Sequence, residues 1–241
     1  MEKPQPDKNT AVIASMFDDI APRYDFLNHF LSFGIDRLWR RKTIRIISKS
    51  YIKPRILDIA TGTADLSIAA MKLEPEYITG IDISLKMLDI GREKIRHKGL
   101  SDRIELILGD SEKIPFDDNK FDVAMAAFGV RNFANTLKGL MEMVRVVRNG
   151  GMVIVLEFSK PEKFPFKQLY NFYFLNILPL IGRTFSRNTK AYRYLPESVM
   201  QFPDNEKFKE LMAEAGLSSV SQKKLTGGIA SIYSGLKQTM Q

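Results

Sequence analysis

The sequence predicts an α/β fold built on a doubly wound, mainly parallel sheet. Three observations lead to this prediction. Between residues 55 and 158, five short runs rich in Ile, Val, Leu and Phe alternate with stretches of helical apolar spacing. The runs are almost continuously apolar, as expected for strands that are buried on both faces of a parallel sheet. A chain of 241 residues with 44% hydrophobic content is long enough for one substantial domain of this kind.

The chain is expected to form a single domain in three parts. Residues 1–54 read as a helical lead-in, with apolar residues at Val12, Met16 and Ile20. Residues 55–158 form the core, and its five predicted strands occupy residues 55–60, 77–83, 103–109, 121–128 and 151–158. Residues 159–241 hold an aromatic insertion and two strand-like runs. These runs can pair as a hairpin around Gly227 and Gly228, which gives the sheet an antiparallel carboxyl-terminal strand.

Two helices of the core have specific support. Ser84 is placed to cap a helix that carries Leu85, Leu88 and Ile95 on one face. Apolar residues with helical spacing also precede the fifth strand, at Leu137, Leu140, Val144 and Val147.

Composition excludes several classes of protein. The chain has no cysteine, which removes disulfides, thiolate zinc sites and cysteine nucleophiles, and two histidines far apart in sequence predict no metal site. The net charge of +8 favours an anionic partner. Eight Lys or Arg residues and no acid lie within residues 37–55, as either a solvated helix face or an anion-binding surface.

Small and acidic residues follow the first three predicted strands. Asp58 and Gly62 lie in the first strand-to-helix turn, Asp82 ends the second strand, and Asp110 and Ser111 follow the third. A carboxylate at Asp82 can accept both hydrogen bonds of a ribose diol, and an acidic, small-residue turn suits an adenine edge. The turn lacks the three-glycine dinucleotide pattern, which argues against NAD and FAD. Ligands of such sheets bind at the carboxyl ends of the strands, so these residues predict a nucleotide-type cofactor site.

This order of acidic strand ends resembles the class I S-adenosylmethionine methyltransferases. A sulfonium cation is favoured by neighbouring acids, and the absence of a phosphate-binding loop suits a cofactor without phosphate. The loop after the fourth strand, residues 126–133, should then face the transferable methyl group. It carries one cation, Arg131, beside the amide of Asn132 in apolar surroundings.

Longer motifs resemble the ubiquinone/menaquinone biosynthesis C-methyltransferase family from about residue 16 onward. They are FDDIAPRYD (17–25), SFGIDRLWR (32–40), GDSEKIPF (109–116), FGVRN (128–132), RVVRNGG (145–151), LEFS (156–159), YRYLPES (192–198) and FP (202–203). The resemblance implies methyl transfer from S-adenosylmethionine to a ring carbon of a prenylated quinol. It also implies that Thr63, Asp82, Asp110 and Ser111 bind the cofactor.

Two positions depart from the family pattern. Ala64 stands where the family often has glycine, which is tolerated if the local backbone is helical. Ala127 stands where some ubiquinone-pathway members have serine, which favours demethylmenaquinol over a prenylated methoxybenzoquinol as the substrate.

The chemistry requires a quinol oxygen that is ionised or strongly polarised, because its electron density then reaches the ortho carbon. We hypothesise that Arg131 polarises this oxygen and that Tyr24 and Asn132 are secondary hydrogen-bond partners. The alternative is that Arg131 only ties the loop to a carboxylate.

Residues 164–194 hold nine of the 25 aromatic residues, flanked by seven cations with a single acid nearby. This pattern fits a core, a contact in a homo-oligomer, or a lid for an isoprenoid tail that touches anionic lipid. With no apolar run of 18 residues and no apolar signal in residues 1–10, we expect a cytoplasmic protein that contacts the inner face of the membrane.

Two further alternatives stay open. An RNA methyltransferase would also suit the positive charge, although no appended RNA-binding module is visible and no nucleic-acid partner is expected. A partner protein that has lost catalysis would not need the cofactor residues.

Overall fold

A computed structural model describes residues 9–32, 34–172 and 189–238 of the chain. Their seven strands are β1 (Arg55–Ile59), β2 (Tyr77–Asp82), β3 (Ile104–Leu108), β4 (Phe121–Ala127), β5 (Val147–Phe158), β6 (Leu217–Leu225) and β7 (Ala230–Lys237). The helices are α1 (Thr10–Leu31), α2 (Ile35–Ile47), α3 (Asp65–Ala70), α4 (Leu85–His97), α5 (Thr136–Val146), α6 (Phe166–Phe172), α7 (Thr189–Gln201) and α8 (Glu206–Glu214).

The strands form one sheet in the order β3-β2-β1-β4-β5-β7-β6. Strands β1 to β5 pair in parallel, whereas β7 runs antiparallel to both of its neighbours, β5 and β6. The predicted α/β fold and its carboxyl-terminal hairpin are therefore confirmed. The strand order reverses between β1 and β4, which is the point where sheets of this kind bind ligands.

Helices cover both faces of the sheet because successive strand residues point to opposite sides. Ile56 packs on one face with α2, α3 and α4, whereas its neighbour Leu57 packs on the other with α5 and α8. Both residues are fully buried. The continuous apolar character of the strands thus follows from their double coverage.

One local prediction was wrong. Val147 begins β5 rather than ending a helix, because it pairs with Phe121 across the sheet. The predicted amino-terminal helix is present as α1, and among its described side chains Ile13 and Ala21 are buried whereas Val12 is exposed. By contrast, the predicted cap of α4 is confirmed, since the Ser84 hydroxyl accepts a hydrogen bond from the Met87 amide at 3.2 Å.

Candidate functional site

A cleft of about 650 Å³, counting the open space at its mouth, lies at the carboxyl ends of β1 to β4 beneath α1. Its described lining is apolar on α1 and mixed on the strand loops. The lining residues are Thr10, Ile13, Phe17, Tyr24, Ala60, Gly62, Asp82, Ile83, Met87, Gly109, Asp110, Ser111, Glu112, Phe128, Gly129, Asn132, Phe133 and Ala134. Six of the nine predicted site residues are among them: Tyr24, Gly62, Asp82, Asp110, Ser111 and Asn132.

The turn after β1 exposes backbone to the cleft. Gly62 has a φ of 56°, and a Cβ placed there would lie 3.8 Å from the Tyr24 ring, within the space between the turn and α1. Its amide donates a hydrogen bond to Asp82 at 2.8 Å, which ties the turn to the end of β2. A side chain at Gly62 would fill space that a ligand needs.

The backbone at Ala64 does not meet the condition under which alanine is tolerated there without cost. Its φ of 66° is left-handed rather than that of a right-handed helix. The chain uses this conformation to start α3, and a Cβ in it costs about 1 kcal/mol or more. Glycine at this position in related sequences would avoid that cost.

Asp82 presents a preorganised carboxylate at the end of β2. One oxygen accepts from the Gly62 amide at 2.8 Å and the other from the Ser84 amide at 2.9 Å. Burial raises the pKa of this carboxyl above its usual value. Each oxygen keeps a further lone pair, so the group can still accept hydrogen bonds from a diol.

Two predicted cofactor residues lie behind the cleft rather than in its wall. The Asp58 carboxylate accepts hydrogen bonds from the Thr61 hydroxyl at 2.7 Å and the Ser67 hydroxyl at 2.6 Å, and so shapes the turn. The Thr63 hydroxyl donates to Asp25 of α1 at 2.5 Å and lies 3.1 Å from the Lys94 ammonium. Their direct contact with a cofactor stays a prediction.

Helix α1 covers the cleft along more of its length than the predicted site residue Tyr24 alone indicated. It is held by Asp18, which accepts from the Ser84 hydroxyl at 2.5 Å, and by Asp25, which pairs with Lys94 at 2.9 Å. Ile13 and Phe17 of this helix line the cleft. The four-residue spacing of Ile13, Phe17 and Ala21 was the available signal.

The loops after β2 and β3 complete an acidic wall. Asp110 accepts a hydrogen bond from the Glu112 amide at 2.9 Å, and both residues line the cleft with Asp82. Neither lysine nor arginine occurs among the described lining residues. Ile83 and Met87, which sequence reasoning missed, add apolar surface suited to a flat ring.

The loop after β4 contains a short 3₁₀ turn, Val130–Asn132. Of the two predicted catalytic residues in this turn, only one lines the cleft. Asn132 lines the cleft, and its side-chain oxygen is buried with no hydrogen-bond partner among the described residues. Arg131 is only 5% exposed, and its Nη1 donates to Glu157 at 2.9 Å. The structure therefore shows the carboxylate contact of the alternative interpretation, and the catalytic role of Arg131 stays a prediction.

These features fit S-adenosylmethionine better than a phosphate cofactor. Three acids and no described cation surround the space, which favours a sulfonium and disfavours phosphate. Asp82 is placed for a ribose diol, and the aliphatic side chains beside it suit adenine.

Sequence comparison relates the chain to quinone methyltransferases. The model of the ubiE/COQ5 methyltransferase family matches residues 5–237. A demethylmenaquinone methyltransferase of Bacteroides fragilis is 43% identical over 95% of this chain and 94% of its own length. The ubiquinone/menaquinone biosynthesis C-methyltransferase UbiE of Geotalea daltonii is 49% identical over 93% of this chain and 96% of its own.

Solved structures share the fold at low sequence identity. The cyclase SpnF has a TM-score of 0.71 at 16% identity and covers 98% of both chains. An S-adenosylmethionine-dependent methyltransferase of Aquifex aeolicus has a TM-score of 0.61 at 19% identity, covering 84% of this chain and 92% of its own. Because a cyclase and a methyltransferase share this fold, function must be argued from the site.

Proposed function

Because this chain belongs to the ubiE/COQ5 methyltransferase family, we propose that it methylates a ring carbon of demethylmenaquinol, giving menaquinol. The methyl donor is S-adenosylmethionine. The observation that carries the proposal is the acidic cleft, without described cations, at the carboxyl ends of β1 to β4. Relatives named for demethylmenaquinone methylation match along nearly the whole chain.

A prenylated methoxybenzoquinol of ubiquinone biosynthesis is the second candidate substrate. It is supported by relatives whose names include both quinones. Ala127 favours the menaquinone substrate. This residue ends β4 next to the loop that carries Asn132, but it packs with the core and is not among the described lining residues of the cleft.

Bound S-adenosylmethionine supplies an electrophilic methyl group. The chain must hold the acceptor carbon in line with it and keep the neighbouring quinol oxygen electron-rich, which together provide most of the acceleration. We assign the second task to Arg131, whose fixed positive charge stabilises a developing oxyanion. Tyr24 and Asn132 line the cleft and are assigned hydrogen bonds to the quinol.

Replacement of Arg131 tests this assignment. In Arg131→Lys, a single ammonium replaces the planar fork, so we expect turnover to fall by roughly 100-fold while the affinity for S-adenosylmethionine changes by less than about twofold. Initial rates with demethylmenaquinol and equilibrium cofactor binding give the two values. Arg148→Lys, at an exposed pair with Asp122, is the matched control. Turnover near that of the unchanged protein would refute the assignment.

We further propose that the enzyme docks on an anionic membrane surface from the cytoplasmic side. The supporting features are an apolar patch, defined as Phe164, Phe166, Leu169 and Phe172, and a basic face of α2, defined as Arg37, Arg41, Lys42 and Arg45. All eight residues are exposed. The remainder of the proposed tail lid, residues 173–188, lies outside the described residues. No helix in the described part of the chain meets the length and hydropathy needed to span a bilayer.

A further inference from the structure

Glu157 is a buried carboxylate with no role in the chemistry proposed above. It lies in β5, one residue before the strand ends, and is fully inaccessible to solvent. Three N–H groups point at it: the Arg131 amide at 3.2 Å, Arg131 Nη1 at 2.9 Å and the Phe158 amide at 2.9 Å. Both oxygens therefore hold Arg131, one through its backbone and the other through its side chain.

This contact decides which edge of the guanidinium stays available. Nη1 is occupied by Glu157 and by the Phe128 carbonyl oxygen. On the other edge, Nε is buried and has no hydrogen-bond partner among the described residues. A guanidinium presents Nε–H and Nη2–H as two parallel donors, which match an oxyanion. A buried donor without an acceptor is unfavourable, so a ligand oxygen at this edge would recover stability.

The ion pair of Arg131 and Glu157 also reduces the net positive charge next to a bound ligand. Arg131 and Glu157 are together neutral, and both lie in a buried environment where charges act strongly. The Arg131 guanidinium lies 5.5 Å from the centre of the Phe158 ring. Among the described residues, Tyr170 of α6 and Tyr194 of α7 interact electrostatically with both Arg131 and Glu157, and Tyr233 of β7 interacts with Glu157. Asp204, which precedes α8, acts on Tyr170 and Tyr233. None of these four groups is a cation, and Glu157 is the carboxylate paired with Arg131.

We propose that Glu157 is a positioning residue for methyl transfer. It fixes the Nε edge of Arg131 for the quinol oxygen and reduces the net positive charge at that edge, so that the oxyanion stays nucleophilic. This inference rests on the proposed function and on the assignment of Arg131. It adds that the carboxylate sets how strongly the bound quinol hydroxyl is acidified.

The test is the pH dependence of turnover under anaerobic, reducing conditions. In Glu157→Gln the hydrogen-bond acceptor remains but the counter-charge is lost. We expect the acidic limb of the turnover profile to move to lower pH by about one unit, because Arg131 then stabilises the oxyanion more strongly. Cofactor affinity should change less than twofold. A limb that stays in place while turnover falls equally at every pH would overturn the proposal.

Two further variants separate positioning from folding. Glu157→Asp keeps the charge but shortens the side chain, so we expect the limb to stay in place and turnover to fall about tenfold. Unchanged turnover in Glu157→Asp would contradict the proposal, even if Glu157→Gln does not fold. Asp122→Asn, which breaks the pairs with Arg55 and Arg148 at the opposite end of β4, is the control and should leave the limb unmoved.

The failure of this inference is distinguishable from failure of the proposed function. If the unchanged protein does not methylate demethylmenaquinol, the function itself is wrong. If it does, but Arg131→Lys is fully active, the assignment of Arg131 is wrong. If the enzyme is active and depends on Arg131, the positioning role alone is contradicted by an acidic limb that does not move in Glu157→Gln or by unchanged turnover in Glu157→Asp.

Discussion

Asp58 shows how the cofactor turn couples to pH through one buried group. Its side chain is almost inaccessible, and one carboxylate oxygen has no hydrogen-bond partner among the described residues. Burial raises the pKa of Asp58 from 3.8 to about 6, although the Ser67 and Thr61 hydroxyls oppose the shift. Because the acid is harder to ionise in the folded state, its contribution to stability is present below pH 3.8 and is lost as the pH rises through about 6.

Asp58→Asn should remove this pH dependence. The amide keeps an oxygen for the two hydroxyls and places its nitrogen where the carboxylate oxygen makes no hydrogen bond. Between pH 4 and pH 8 we expect the free energy of unfolding of the variant to rise by about 2 kcal/mol relative to that of the unchanged protein. Urea unfolding curves across this range measure the gain. Parallel stability curves for the two proteins would contradict the burial argument.

At the residue scale, the sequence alone identifies Asp82 and Asn132 as cleft residues but misses the partner of Arg131. Asp82 is recognisable because it ends a strand at the spacing typical of ribose-binding acids. Glu157 is 26 residues from Arg131 and reaches it only because β4 and β5 pair with Ala127 opposite Leu156. That register is a tertiary property, which no local pattern in either strand contains.

At the element scale, the strands were predictable and the packing face of α1 was not. Continuous apolar runs mark the strand positions in the sequence. In α1, by contrast, the apolar pattern is compatible with either Val12 or Ile13 as the inward-facing residue. The choice depends on contacts with distant groups, such as that of Asp18 with Ser84. Similarly, Val147 has helical spacing from Val144, but it pairs with Phe121 and therefore belongs to the sheet.

Helices α2 and α6 supply the proposed membrane surface, and they meet at one turn. Trp39 of α2 donates a hydrogen bond to the Thr226 hydroxyl at 2.9 Å, and the Phe166 ring of α6 covers Gly227 next to it. The helices that carry the apolar patch and the basic face therefore both contact the turn at Thr226 and Gly227. Lys163 and Lys167 lie beside the exposed aromatic rings and are exposed too.

Charge reversal on α2 should weaken membrane binding. Each basic residue near an anionic surface contributes about 1 kcal/mol, so the double change Arg41→Glu and Lys42→Glu should reduce binding at least tenfold. Flotation with vesicles of anionic and of neutral lipid measures it, with Lys98→Glu near β3 as the control. Vesicle binding that does not depend on lipid charge or salt would contradict docking. A dimer in solution with no vesicle binding would also contradict it, and would assign the apolar patch to a contact between copies of the chain.

At the scale of the whole molecule, the net charge of +8 is distributed unevenly. The cleft wall is acidic, with Asp82, Asp110 and Glu112. Part of the basic segment is neutralised internally, because Arg40 lies 3.6 Å from Asp65 and Arg55 lies 3.1 Å from Asp122. The net charge taken from composition alone suggests a nucleic-acid partner as readily as a membrane, because it does not show where the charges lie. The division of charge between cleft and surface favours a cationic cofactor inside and an anionic surface outside.

Methyl transfer to a quinol carbon can be followed directly with labelled cofactor. The protein is incubated with S-adenosylmethionine labelled in its methyl group, together with demethylmenaquinol in one reaction and bulk RNA in another. The proposed function predicts label in the quinol, on a ring carbon, and none in the RNA. Label in RNA alone, or in neither acceptor, would contradict it.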